Sequence, residues 1–107
     1  MPKPKYSHEA RDDLAEIKRY IENDLANPIA ARNTVTNIRG KIRKLESTPW
    51  AGTVLHTPAG DATIYRFLVC GNYLAIYRTE GEAVLVVRIL YGKRECVTTL
   101  LHNPVLR

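Results

Sequence analysis

The side chains able to do chemistry in this sequence gather toward strand-like segments. The run VVRILYGKREC, Val86 to Cys96, begins as an apolar, β-branched stretch and turns at Gly92 into Lys93, Arg94 and Glu95, with Tyr91 just before the turn. Cations beside a phenol at a strand end suit metal-free phosphoryl transfer, which needs positive charge on a developing oxyanion and a proton for the leaving group. Arg66, His56 and His102 could add charge or protons. Each also has a plain structural role: Tyr91 as a strand-end aromatic, His56 as a loop or strand side chain, His102 near a terminus. Such chemistry works only when several groups share one geometry, so the elements that carry these residues decide the matter.

Metal and thiol chemistry have less support. Cys70 and Cys96 are the only cysteines, with no CxxC pair and no histidine spacing suited to zinc. Both read as reduced thiols, one in a strand and one near a helix start, and a buried free cysteine usually behaves as a small hydrophobe. No cofactor or metal is expected.

The positioning elements follow from periodicity. Lys3 to Ser7 is short and punctuated by proline, as an edge strand tolerates. Ser7 caps a helix starting near His8, with Glu9, Asp12 and Asp13 near its positive end. Ala10, Leu14, Ile17, Ile21 and Leu25 then fall on one helical stripe. Asn27-Pro28 announces a second helix reaching about Ser47, with Ala31, Val35, Ile38, Ile42 and Leu45 as its stripe. The short link DLAN makes the pair an antiparallel hairpin. Gly40 interrupts the second helix, at a cost of about 1 kcal/mol relative to alanine unless a close contact compensates.

From Thr48 the period changes. TVLHT, ATIYRFLVC, YLAIYR and AVLVVRILY read as strands, with hairpin turns at GNY and TEGE, and Cys96 to His102 suits a short terminal helix. The expected fold is α+β: an N-terminal strand and a helical hairpin packed on a largely antiparallel, twisted sheet of about four strands, with a short C-terminal helix. A chain of 107 residues fits one domain, 1–107, around a single core.

Charge is unevenly distributed. The net charge is +5, yet residues 1–25 hold five basic and six acidic side chains while residues 26–45 hold five basic and none acidic. Such a patch favours an anionic partner, nucleic acid or an acidic protein segment. Arg32, Arg39 and Arg43, spaced by seven and four, stack on one side of the second helix. They read as a ridge for a partner or as a solvated face. Arg66, Arg78 and Arg88 lie in strands, where charge is unusual unless the face is exposed or the charge is paired; Arg88, among apolar neighbours, needs a partner, either a carboxylate such as Glu80, Glu82 or Glu95 or a functional cluster with Arg66. Val84, Val86, Arg88 and Leu90 would share a face under strict alternation, though the register is not legible. Trp50 reads as a packing anchor, and Tyr65, Tyr73 and Tyr77 as packing within the sheet. No apolar run approaches the ~18–20 residues of a membrane span, and MPKPKYSHEA does not resemble a signal peptide. A cytoplasmic protein without membrane association is expected.

In order and interval, EARDDLAEIKRYI, NPIAARNTVTNIRGKIRKLESTPWAG, YRFLVCGNYLAIYR and VLVVRILYGKRE resemble the RelE/ParE superfamily of toxins from type II toxin–antitoxin modules. The resemblance implies a growth-inhibiting toxin that forms a hetero-oligomer with a cognate antitoxin. Two activities lie within the superfamily. RelE-like members are ribosome-dependent mRNA endonucleases, whereas ParE-like members inhibit DNA gyrase.

Against the nuclease pattern, Tyr65 and Phe67 stand where two lysines are expected, Leu74 where an arginine follows the hairpin tyrosine, and Leu100 where a C-terminal tyrosine would lie. Arg94 alone matches a basic position. The chain is therefore more similar to ParE than to RelE, with no catalytic residue favoured. Arg32, Arg39, Arg43, Arg88, Lys93 and Arg94 are then contacts for the target or the antitoxin. The alternative is a metal-independent nuclease with an atypical site, Arg94, Arg66, Tyr91 and His102, acting on mRNA at the ribosome. A second alternative is an inactive binding domain on the same fold.

Overall fold

The computed structural model describes residues 3–92. After Pro4, the two-residue strand β1 (Lys5–Tyr6) runs parallel to β5 (Ala83–Tyr91), with Lys5 opposite Leu85 and Tyr6 opposite Val86. Ser7 ends the strand and caps α1 (His8–Arg19): its Oγ accepts the Ala10 N–H at 3.0 Å and donates to the Val87 carbonyl at 2.9 Å. Such a cap is worth about 1 kcal/mol to the helix, and here it also ties the helix start to the sheet.

After Arg19 the helix widens into one π turn, Tyr20–Asp24, closed by the Leu25 N–H donating to the Tyr20 carbonyl at 3.1 Å. The wider turn rotates Leu25 off the α1 stripe, and Leu25 is 56% exposed although Ile21 is buried. Ala26 takes a left-handed φ of 50°, which turns the chain toward Asn27. Asn27 Oδ1 accepts the Ala30 N–H at 3.0 Å, and Pro28 opens α2 (Pro28–Arg43). The expected extension to Ser47 tightens into a 3₁₀ turn, Lys44–Glu46, which still buries Leu45.

β2 (Thr53–His56), β3 (Ala62–Cys70), β4 (Tyr73–Glu80) and β5 form an antiparallel meander, and β1 completes the order β1-β5-β4-β3-β2. The sheet thus has five strands, four antiparallel and one parallel. Gly71-Asn72 makes the tight β3–β4 turn, with Gly71 at φ 64°. The expected helix at Cys96 to His102 lies outside the described residues.

Both helices cover one face of the sheet. Ala10, Leu14, Ile38, Ile42 and Leu45 pack on Tyr77, Val84, Val86 and Ile89. By the strand alternation, Leu74 and Ile76 point to the other face, where they join Leu55 and Phe67, with Tyr65, Val87 and Leu90 alongside. The expected face of Val84, Val86, Arg88 and Leu90 does not form, because the ladder slips: Ile76 is opposite Arg88 but Tyr77 is opposite Val86. The extra residue, Val87, is a β-bulge that brings Ile89 into the helix-side core and sends Leu90 to the opposite face.

Candidate functional site

The outward side of α2 carries cations with no acidic residue on the same helix. Arg32, Arg39 and Arg43 are all exposed. The Arg39 guanidinium lies over the Tyr6 ring at 5.3 Å from its centroid, a cation–π contact that holds it against β1. Beside it runs a groove of about 570 Å³ lined by Lys3, Tyr6, Arg39, Gly40, Arg43 and Glu46. On the other flank of α2 a second groove, of about 730 Å³, is lined by Asn37, Gly40, Lys41, Lys44 and Cys70 among others. Lys41 Nζ donates to the Val69 carbonyl at 3.1 Å and so ties the helix to the end of β3. Burial pushes the Cys70 thiol up, against the opposing pull of Lys41. A thiol held in its neutral form is a poor nucleophile, consistent with a packing role.

The strand arginines do not form a cluster. Arg88 pairs with Asp13 on α1, Nε to Oδ2 at 2.8 Å and the second nitrogen to Oδ1 at 3.2 Å. The Asp13 hydrogen bond raises the Arg88 pKa further, against its partial burial. Arg78 pairs with Glu80 at 2.8 Å. Arg66 meets no carboxylate among the described residues: its guanidinium donates to the carbonyls of Trp50 at 3.3 Å and Gly52 at 3.0 Å. Arg88 joins α1 to β5 and Arg66 joins the turn before β2 to β3, whereas Arg78 pairs within β4.

Among the described residues the partner of Arg88 is therefore Asp13 and not Glu80 or Glu82; Glu95 lies outside them. The signal that identifies Asp13 was present in the spacing: it lies three residues after Ala10 and four before Ile17, on the buried stripe itself. The stacking of Arg39 on Tyr6 had no sequence signal, because it depends on how β1 lies beside α2.

Of the nuclease alternative's residues, Arg66 and Tyr91 are described, and the fold holds them apart. Arg66 is opposite Tyr77 on β4, whereas Tyr91 is opposite Tyr73 on the same strand and two strands away from β3. Strand spacing and rise separate them by roughly 16 Å. Tyr91 is 73% exposed, with its ring edge-on to Tyr73 at 5.5 Å. Tyr65 and Phe67, at the two lysine positions of the nuclease pattern, pack with the cluster on the sheet's far face. His56 is exposed at the end of β2. Lys93, Arg94 and His102 lie outside the described residues. Trp50 is 67% exposed, so it does not anchor the core; the buried aromatic at that junction is Tyr77, whose hydroxyl accepts the Gly52 N–H at 2.8 Å. Among the described residues, no group of three or more His, Cys, Asp or Glu could hold a metal ion.

No helix among the described residues is long and apolar enough to cross a membrane. No curated protein matches the chain. Among solved structures, the chromosomal ParDE toxin–antitoxin system from P. aeruginosa is similar, with a TM-score of 0.70 at 22% identity over 87% of this chain and 98% of that one. At that identity the likeness speaks for the fold. The family model described as the ParE toxin of the type II toxin–antitoxin system, parDE, matches residues 5–96, from β1 through the end of β5 and beyond. The chain belongs to the ParE toxin family of type II toxin–antitoxin systems.

Proposed function

We propose that this toxin arrests growth by binding DNA gyrase through protein contact, and that a cognate antitoxin silences it in a hetero-oligomer. The observation that carries the choice of protein contact over RNA cleavage is the employment of Arg66. Its guanidinium is spent on two backbone carbonyls, and its place on β3 lies roughly 16 Å from that of Tyr91 on β5, so this cation and the Tyr91 phenol do not converge. Binding needs only a surface. The exposed ridge of Arg32, Arg39 and Arg43 supplies contacts with target or antitoxin, and Lys93 and Arg94, outside the described residues, are assigned to the same role from the sequence. Arg88 serves that surface indirectly, by fixing α1 against β5 through Asp13.

The test uses one preparation in two assays. Added to gyrase, the protein should block supercoiling of relaxed plasmid; added to a translating extract, it should leave mRNA intact. Message cleavage with normal supercoiling would overturn the reading in favour of the nuclease, and Arg94→Ala would then have to abolish cleavage. Unimpaired growth on induction in a sensitive host would remove the toxin role itself.

A further inference from the structure

The α2 surface holds more unpaired positive charge than the fold requires. Arg32, Arg39 and Arg43 follow one line of the helix for about 16 Å, at ~1.5 Å per residue. Lys3 joins them across the groove beside β1, and Lys41 and Lys44 stand on the other flank. None of these six is in an ion pair among the described residues, and Glu46 is the one carboxylate lining either groove.

Gly40 lies between the two flanks and lines both grooves. A glycine inside a helix costs about 1 kcal/mol relative to alanine, so a packing reason is sought first. Among the described residues there is none: a Cβ at Gly40 would meet no atom of theirs within 4 Å. What glycine does offer at that point is close approach of a ligand's backbone to the helix.

The lining of the groove beside β1 selects among anionic ligands. Among the described residues Pro4 and Tyr6 are its apolar or aromatic members, and the large exposed apolar side chains Tyr20, Leu25 and Ile29 do not line it. The groove on the other flank adds Ile38, Cys70 and Tyr73, so apolar contact is not absent from this face; what sets it apart is six cations against the single carboxylate Glu46, which favours an anionic ligand. Nucleic-acid interfaces are polar and strongly positive, with affinity supplied by lysine and arginine on phosphates.

We propose that the face of α2 from Arg32 to Lys44, centred on Gly40, binds the phosphate backbone of nucleic acid without reading its sequence. Arg39, Arg43 and Lys3 grip one side of the backbone and Lys44 the other, while Gly40 lets it lie close to the helix. The site goes beyond the gyrase reading but shares its ridge of Arg32, Arg39 and Arg43, so nucleic acid and a protein partner compete for this face.

The test is fluorescence anisotropy of the full chain with a 20-base-pair duplex and a 20-nucleotide single strand of arbitrary sequence, between 50 and 200 mM salt. With three or more phosphates neutralised, the log–log salt slope for duplex is about −3 or steeper, and Arg39→Gln/Arg43→Gln flattens it by about 2 while weakening binding at least ~10-fold. Gly40→Leu keeps every charge and should weaken binding to both probes. Arg11→Gln/Lys18→Gln on α1 removes the same net charge and should leave the slope unchanged.

Equal losses in the α1 and α2 double variants would overturn the site, because net charge alone would then explain binding. So would the absence of binding to either probe at 50 mM salt. Polyglutamate of matched charge binding as tightly as the duplex would reassign the surface to an acidic polypeptide. Thermal melts establish that each variant is folded; should the α2 double variant not fold, Arg43→Gln alone and Gly40→Leu carry the comparison. A negative result here leaves the supercoiling assay unaffected, so the two readings fail separately.

Discussion

Asp13 and Arg88, 75 residues apart in sequence, form a two-point ion pair that closes the free edge of the sheet where β1 ends. Asp13 Oδ2 accepts both Arg88 Nε at 2.8 Å and the Ile89 backbone N–H at 2.9 Å. One carboxylate thus neutralises a strand arginine and satisfies a backbone donor that β1 is too short to reach. The side chains are 19% and 17% exposed, so solvent screens the pair only partly. Asp13→Ala should cost about 2–3 kcal/mol in a urea titration, because it strands a half-buried cation and an edge N–H together. A loss under about 0.5 kcal/mol would mean that water replaces Asp13 without penalty.

Gly52 and Tyr77 lock the turn before β2 onto the sheet. A Cβ at Gly52 would lie 2.6 Å from the Tyr77 hydroxyl and 2.8 Å from the Phe67 carbonyl, and neither the fully buried ring nor the backbone can yield cheaply. Gly52→Ala should destabilise by about 1–3 kcal/mol. Tyr77→Phe, which only removes the acceptor of the Gly52 N–H, should cost about 1–2 kcal/mol. A neutral Gly52→Ala would show that the turn can move away from Tyr77.

Gly40 behaves in the opposite way. With open space around it, Gly40→Ala should raise stability by about 0.5–1 kcal/mol. The melting midpoint checks this, and a fall would reveal a helix geometry at residue 40 that alanine does not fit.

Exposure of Trp50 separates it from the core. Trp50→Ala should change stability by no more than about 0.5 kcal/mol, since the substitution opens no cavity. Tyr77→Ala should cost about 3–5 kcal/mol. Comparable losses at the two positions would return Trp50 to the role of packing anchor.

Stability should decline in alkali. Burial pushes the phenols of Tyr77, Tyr73 and Tyr6 and the thiol of Cys70 up, in Tyr6 against Arg39, and in Tyr77 against its hydrogen bond with Gly52 and the charge of Arg66. The native state therefore keeps protons that the unfolded chain has released. The stabilisation is complete below the unfolded values, about 8.5 for the thiol and 10 for the phenols, and is lost as pH rises through the native ones. Urea midpoints should be level near neutrality and fall from about pH 9 upward. A rising midpoint in that range would contradict the direction of these shifts.

The sequence by itself determined the local elements. Ser7 and Asn27 marked both helix starts, the apolar spacing of Ala10, Leu14 and Ile21 and of Ala31, Ile38 and Ile42 marked the buried faces, and Gly71-Asn72 marked the hairpin. These features are set by neighbours within a few residues, which is why periodicity and capping chemistry expose them. The arginine ridge on α2 was legible for the same reason.

Only the tertiary structure decided the rest. The π turn that displaces Leu25, the bulge at Val87, the choice of Asp13 for Arg88, the carbonyl partners of Arg66 and the exposure of Trp50 each depend on strand register or on contacts between distant segments. A one-residue slip in a ladder reverses every side chain beyond it, and no local pattern records where that slip occurs. The strand cations therefore looked alike in the sequence, whereas the fold gave each a separate structural task and left the cations of α2 facing outward.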